Sequence, residues 1–177
     1  MGLGATNKRK GNTGERYYAQ IFRELGYPFC KTARMGSKLH DDAKIDLIFI
    51  PYNIQIKAGK HKGMNVGKEL KAMSEAINKS FPRNHEVHRN PQILIHYEEV
   101  GRGKRRQPEN EKVYMTLERF KRYKLFHPDL EYKEIKNHKN VEGEYSQTVW
   151  ITFEEFKNKI ILHYVTDNTA DTSGPIL

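Results

Sequence analysis

The stretch Ile45–Gly59, IDLIFIPYNIQIKAG, confines the fold more than any other part of the chain. Two apolar runs of strand length, Ile45–Ile50 and Asn53–Ala58, are joined by only Pro51 and Tyr52. So tight a link predicts two neighbouring strands. The first run opens on a carboxylate, Asp46. In the second, Gln55 and Lys57 stand at i and i+2 and therefore point to one face of the strand. They interrupt an otherwise buried run, where unpaired polar groups are costly.

The flanking sequence supplies layers for these strands. Asn12 or Thr13 can cap a helix running to about Gly26, with Tyr18, Ile21, Phe22 and Leu25 at helical spacing. Phe29–Met35 reads as a strand and GSKLHDDAK as a polar loop. Val66–Phe81 reads as a second helix with Leu70, Met73, Ala76 and Ile77 on one face, and Gln92–Val100 as a strand. Two later segments echo each other, VYMTLERFKRYK (113–124) and VWITFEEFKNKI (149–160). Each predicts a short strand, a Thr N-cap and a helix. Two copies are too few for a solenoid. The order predicts an α/β fold with a mixed central sheet flanked by helices. It further predicts a flexible basic arm over 1–11, a single domain over 12–165 and a disordered tail over 166–177.

Charge points to the partner. Across 177 residues, 31 Lys and Arg face 22 Asp and Glu, a formal net charge of +9. That balance predicts a polyanionic partner, nucleic acid ahead of a membrane surface. No apolar run approaches membrane-span length, and the start MGLGATNKRKGN has no hydrophobic signal region. It formally meets the myristoylation pattern MGxxxT, but a basic DNA-contacting arm suits the segment better. The expected compartment is the cytoplasm, or the host cytoplasm for a chain of phage origin. Cys30 is the only cysteine. A disulfide framework and a thiolate zinc site are thereby excluded, and a packed, inert thiol is expected. His85-x-x-His88 lacks the further ligands that a zinc site needs.

Phosphodiester hydrolysis needs a hard cation on the phosphate, an activated water and a stabilised leaving oxygen. Magnesium held by carboxylates supplies all three. Asp46 can reach a metal, Gln55 can offer a neutral carbonyl oxygen, and the backbone carbonyl of Ile56 can add another. Lys57 would sit over the scissile phosphate. Glu15 is a further ligand if its helix packs against these strands. Taken singly, a strand-end charge is usually solvated, and a glutamate near a helix start usually complements the dipole. Gln55 stands where a second carboxylate would be more usual.

At these residues the chain resembles the PD-(D/E)XK nuclease superfamily, and within it the archaeal-type and phage Holliday junction resolvases. The segments that carry the resemblance are GERYYAQIFRELGY, CKTARMGS, IDLIFI and NIQIKAGK, in the expected order within about residues 8–100. The resemblance implies a restriction-endonuclease-like core. It implies an active site of Glu15, Asp46, Gln55 and Lys57, with Ser37 from the MGSK loop and Mg²⁺ or Mn²⁺ as cofactor. It also implies a homodimer making symmetric cuts in branched, four-way DNA, with an interface from apolar surface on the second helix or the C-terminal units. Gln55 departs from the family's usual Glu and removes one negative charge from the metal site. Asp41 or Asp42 could compensate if their loop folds back. A restriction-like, repair or DNA-processing endonuclease is the alternative enzyme. A catalytically degenerate DNA-binding module is the alternative outside enzymes.

Basic residues mark the expected nucleic-acid contacts. Arg34, Lys60, Lys62 and Lys68 would line a phosphate-binding surface beside the catalytic strand. Lys8, Arg9 and Lys10 would form the arm. Arg102, Lys104, Arg105 and Arg106, within the loop GRGKRRQPENEK, would enter a groove or bind phosphates.

Overall fold

The computed structural model describes residues 3–59, 64–98, 111–135 and 141–162, with side chains from Thr13 onward. Seven strands form one sheet: β1 (Lys31–Thr32), β2 (Leu47–Ile48), β3 (Asn53–Ala58), β4 (Gln92–Tyr97), β5 (Lys112–Thr116), β6 (Lys133–Glu134) and β7 (Thr148–Thr152). Their order is β1-β2-β3-β4-β5-β7-β6. Only β3 and β4 run parallel, in a register from Asn53↔Gln92 to Ala58↔Tyr97, and every other pair is antiparallel. The mixed sheet and the α/β class are as the sequence predicts.

Helices cover both faces. Helix α1 (Leu3–Glu24) packs Tyr18, Ala19 and Phe22 onto one face, together with Phe120 of α5 (Leu117–Phe126) and Phe153 of α6 (Phe153–Glu155). A π-helical stretch, Phe156–Ile161, follows α6 and adds Phe156, Ile160 and Ile161. Helix α4 (Val66–Ser80) covers the other face with Val66, Leu70, Met73 and Ile77. The period-2 alternation of β4 serves both sides: Ile93, Ile95 and Tyr97 enter the first cluster and Leu94 the second. Each such fully buried side chain contributes roughly 1.5–3 kcal/mol. The apolar stripe of α4 is therefore consumed inside the fold. It does not furnish the intersubunit surface expected of it.

The two echoed segments fold alike. Thr116 Oγ1 accepts the Arg119 amide, and Thr152 closes a capping box with Glu155. Their strands lie side by side, β5 against β7, from Lys112↔Thr152 to Thr116↔Thr148.

Four local expectations are corrected. Helix α1 begins at Leu3 and not at Asn12 or Thr13, so the backbone of 3–11 belongs to it; Ala5, Lys8, Arg9 and Lys10 are good helix formers. The predicted strand Phe29–Met35 is only β1, because the chain turns at Thr32 into the short helix α2 (Ala33–Gly36). The predicted polar loop contains α3 (Lys38–Asp42), N-capped by Ser37. The run Ile45–Ile50 keeps only two strand residues, since Lys44 and Phe49 at its flanks adopt left-handed φ values of 62° and 65°. Lys60, Lys62, Arg102, Lys104, Arg105, Arg106 and the tail 166–177 lie outside the described residues, as do the side chains of Lys8, Arg9 and Lys10. Among the described residues no helix is long and apolar enough to cross a membrane.

Candidate active site at the splayed edge of β3

The candidate site forms where β2 leaves β3. Their pairing is confined to Leu47↔Ile54, after which the β3 edge is open. Asp46 stands at that opening. Its amide donates to the Ile54 carbonyl at 2.7 Å, and its own carbonyl accepts from Ala33 at 2.8 Å. The side chain then does what a strand partner would have done: Oδ2 accepts the Ile56 amide at 2.6 Å. The N–H and C=O of one strand residue point the same way, so the Ile56 carbonyl also faces the Asp46 side.

Glu15 reaches this region because α1 crosses the β3–β4 pair. Gly14 permits the approach: a Cβ there would stand 2.7 Å from Cε1 of the buried Tyr97 ring. Glu15 is only 4% exposed, and the Arg34 guanidinium lies 3.1 Å from it. Arg34 also lies 3.5 Å from Asp41. Arg34, expected on a phosphate-binding surface, is in this structure a bridge between two acids. Asp41 does fold back toward the site, through that bridge.

The two carboxylates feel each other. Burial pushes the Asp46 carboxyl up to about 7; the Ile56 amide holds it down, the Glu15 charge adds to the rise, and Arg34 and Lys57 oppose it. Burial likewise raises Glu15, with Arg34 opposing and Asp41 assisting. Two acids that resist ionising together favour a nearby cation.

Gln55 and Lys57 occupy the α4 face of β3, opposite Ile54. Gln55 is buried, and its Oε1 has no hydrogen-bond partner among the described residues. Lys57 Nζ lies 3.0 Å from Glu69 Oε2 in the first turn of α4. Glu69 was not anticipated from sequence. Its signal is positional: an acid in the first turn of the helix that follows β3, ordinarily explained by the helix dipole alone. Lys68 beside it is exposed, and its backbone amide donates to the Asn65 cap.

The Ser37 hydroxyl is engaged within α3. It accepts the His40 amide at 3.4 Å as the α3 cap and lies 2.7 Å from His40 Nδ1. It lines a neighbouring cleft with His40, Phe49 and His85. Cys30 is buried, and burial pushes its thiol up to about 12, which makes it inert at neutral pH.

Among the described residues, no three His, Cys, Asp or Glu side chains cluster as a metal site. The available donors are the Asp46 and Glu15 carboxylates, the Ile56 carbonyl and the Gln55 amide oxygen. All are hard oxygens, and the orphaned Gln55 Oε1 lacks a partner of its own. This set fits a hard divalent cation, with one negative charge fewer than three carboxylates would give. No known protein family, curated protein or solved structure matches the chain.

Proposed function

We propose that the chain is a divalent-cation-dependent DNA endonuclease that cuts branched DNA, as the junction resolvases it resembles do. The observation that carries this is the convergence of Asp46 with Glu15 and Lys57 at the open edge of β3, beside an unpartnered Gln55 oxygen. A net charge of +9 supplies the attraction to a polyanion.

Asp46, Glu15, Gln55 and the Ile56 carbonyl would hold Mg²⁺ or Mn²⁺. When bound, the ion neutralises phosphate oxygens and lowers the pKa of a coordinated water. The rest is the work of side chains. Asp46 is held in place by the Ile56 amide, so its free oxygen keeps one direction. Lys57 stabilises charge as it grows on the phosphate, and Glu69 orients the ammonium. Two symmetric cuts on a four-way junction call for two such sites, hence a homodimer, working in the cytoplasm where its DNA is.

One observation favours a second role. Arg34 already neutralises Glu15, which a degenerate DNA-binding module would retain without a metal. Cleavage assays on four-way, flapped, nicked and linear DNA in Mg²⁺ and Mn²⁺ separate the two. The nuclease proposal expects turnover by the native chain and loss in Asp46→Asn and Lys57→Ala. Salt-sensitive binding with no cut in either metal would leave only the binding module.

A further inference from the structure

At the other end of the β3–β4 pair, a cleft of about 620 Å³ opens between α5 and the 89–91 loop. Tyr52 on its wall precedes Lys57 by five residues, about 17 Å along the strand. Its volume lies within the ~300–1,000 Å³ typical of small-ligand sites.

One face of α5 lines it. Arg119, Arg122, Tyr123 and Phe126 fall at i, i+3, i+4 and i+7, and Arg89 and Tyr52 complete the walls. Arg122 donates to Glu118 at 2.7 Å. Among the described residues neither Arg89 nor Arg119 has an ion pair. Arg119 sits in the first turn of α5, where the helix dipole disfavours a cation. Helix stability does not account for that placement, and an anionic ligand does. Phe126 is 78% exposed at the rim, an apolar ring that the fold does not use. The wall bearing Arg89 is held firmly: buried Asn53 donates to the Val87 carbonyl at 2.7 Å and to the Asn90 carbonyl at 3.2 Å.

We propose that this cleft binds a nucleotide unit, its base stacked on Phe126 and Tyr123 and its phosphate held by Arg89 and Arg119. The unit comes either from a single strand or from a free mononucleotide. None of Glu15, Asp46, Gln55 and Lys57 lines this cleft, and it does not rest on the nuclease proposal. Stacking is indifferent to base identity, and paired guanidinium forks suit phosphate oxygens.

The test is equilibrium binding of a labelled oligo(dT) of about 12 nucleotides to the full chain in EDTA, where metal-dependent turnover is silent. Arg89→Ala/Arg119→Ala should weaken binding about tenfold or more and lower the salt slope by about 0.7–1.4. Phe126→Ala, at an exposed position, should weaken it at least about fivefold with the slope unchanged. Lys121→Ala/Lys124→Ala removes equal charge from outside the cleft and should stay within about twofold. Competition by dTMP that is lost in the arginine variant identifies a free nucleotide as the ligand. Competition by unlabelled oligonucleotide alone identifies a strand. The proposal is overturned if the arginine and phenylalanine variants bind like the native chain, or if the lysine variant loses as much as the arginine variant. A nuclease-negative result leaves it standing.

Discussion

The Lys57 ammonium lies 3.0 Å from the Glu69 carboxylate, so the strand lysine and the first turn of α4 form one unit across the sheet surface. Both side chains are about one-third exposed. The pair therefore matters for position more than for stability. Lys57→Ala should lower the rate of DNA cleavage about 10²–10³-fold while leaving junction affinity within a few-fold. Glu69→Gln should lower it about tenfold, since a lysine that wanders is still present. Single-turnover cleavage beside gel-shift binding checks both, and equal losses in rate and affinity would contradict a role in the chemical step.

Asp46 makes the metal-free protein sensitive to pH. Its carboxyl is raised from 3.8 to about 7, so the fold prefers the protonated form. The stability it contributes is complete below about pH 4 and is lost as pH rises through about 7. Asp46→Asn keeps an acceptor for the Ile56 amide without the charge. In EDTA the variant should match the native chain near pH 4 and exceed it by about 2–4 kcal/mol near pH 8, allowing for partial exposure. Glu15 shifts in the same direction and should contribute with the same sign. Urea unfolding across pH measures the difference; a gap that does not change with pH would show that folding leaves the Asp46 carboxyl unshifted.

Gln55→Glu should act oppositely with and without metal. A third carboxylate beside Asp46 and Glu15 has no partner in EDTA and should cost about 1–3 kcal/mol. With Mg²⁺ present, the added ligand charge should make the rise in Tm larger than in the native chain. Thermal unfolding in EDTA and in Mg²⁺ gives both numbers. No metal-dependent gain in either protein would argue against cation binding here.

Gly14→Ala reverses a general expectation. Alanine in a helix interior normally gains about 1 kcal/mol over glycine. Here the new Cβ would press on the Tyr97 ring, which is buried. We expect a loss of about 1–3 kcal/mol. Cleavage should fall further than stability implies, because α1 carries Glu15. Denaturant midpoints and cleavage rates under fully folded conditions separate the two effects.

The central strands and the helix caps are legible in the sequence because their signals are local. Ile54 and Ile56 mark one strand at alternate positions and the run Ile93–Ile95 marks the next, while Thr116 and Thr152 announce the helices that follow β5 and β7. The segment from Phe29 to Ile50 is less legible. There the backbone is governed by Ser37 as a cap and by left-handed turns at Lys44 and Phe49, none of which leaves a periodic pattern. The site divides the same way. Asp46, Gln55 and Lys57 stand out within their own strands. The pairings Glu15–Arg34 and Lys57–Glu69 join residues 19 and 12 positions apart, and only the packed helices bring them together.

The outermost strands, β1 and β6, are two residues long. A sheet is lengthened sideways by lending unpaired amides and carbonyls to an incoming chain, and these rims have few to lend. Copies of the protein should not polymerise edge to edge through them. Exposed apolar side chains offer another surface on which two copies could join. Among the described residues, Phe29, Met35 and Leu39 beside β1 and Leu125 at the end of α5 remain available. Such an association can close as a finite, symmetric pair, where strand addition could continue without end.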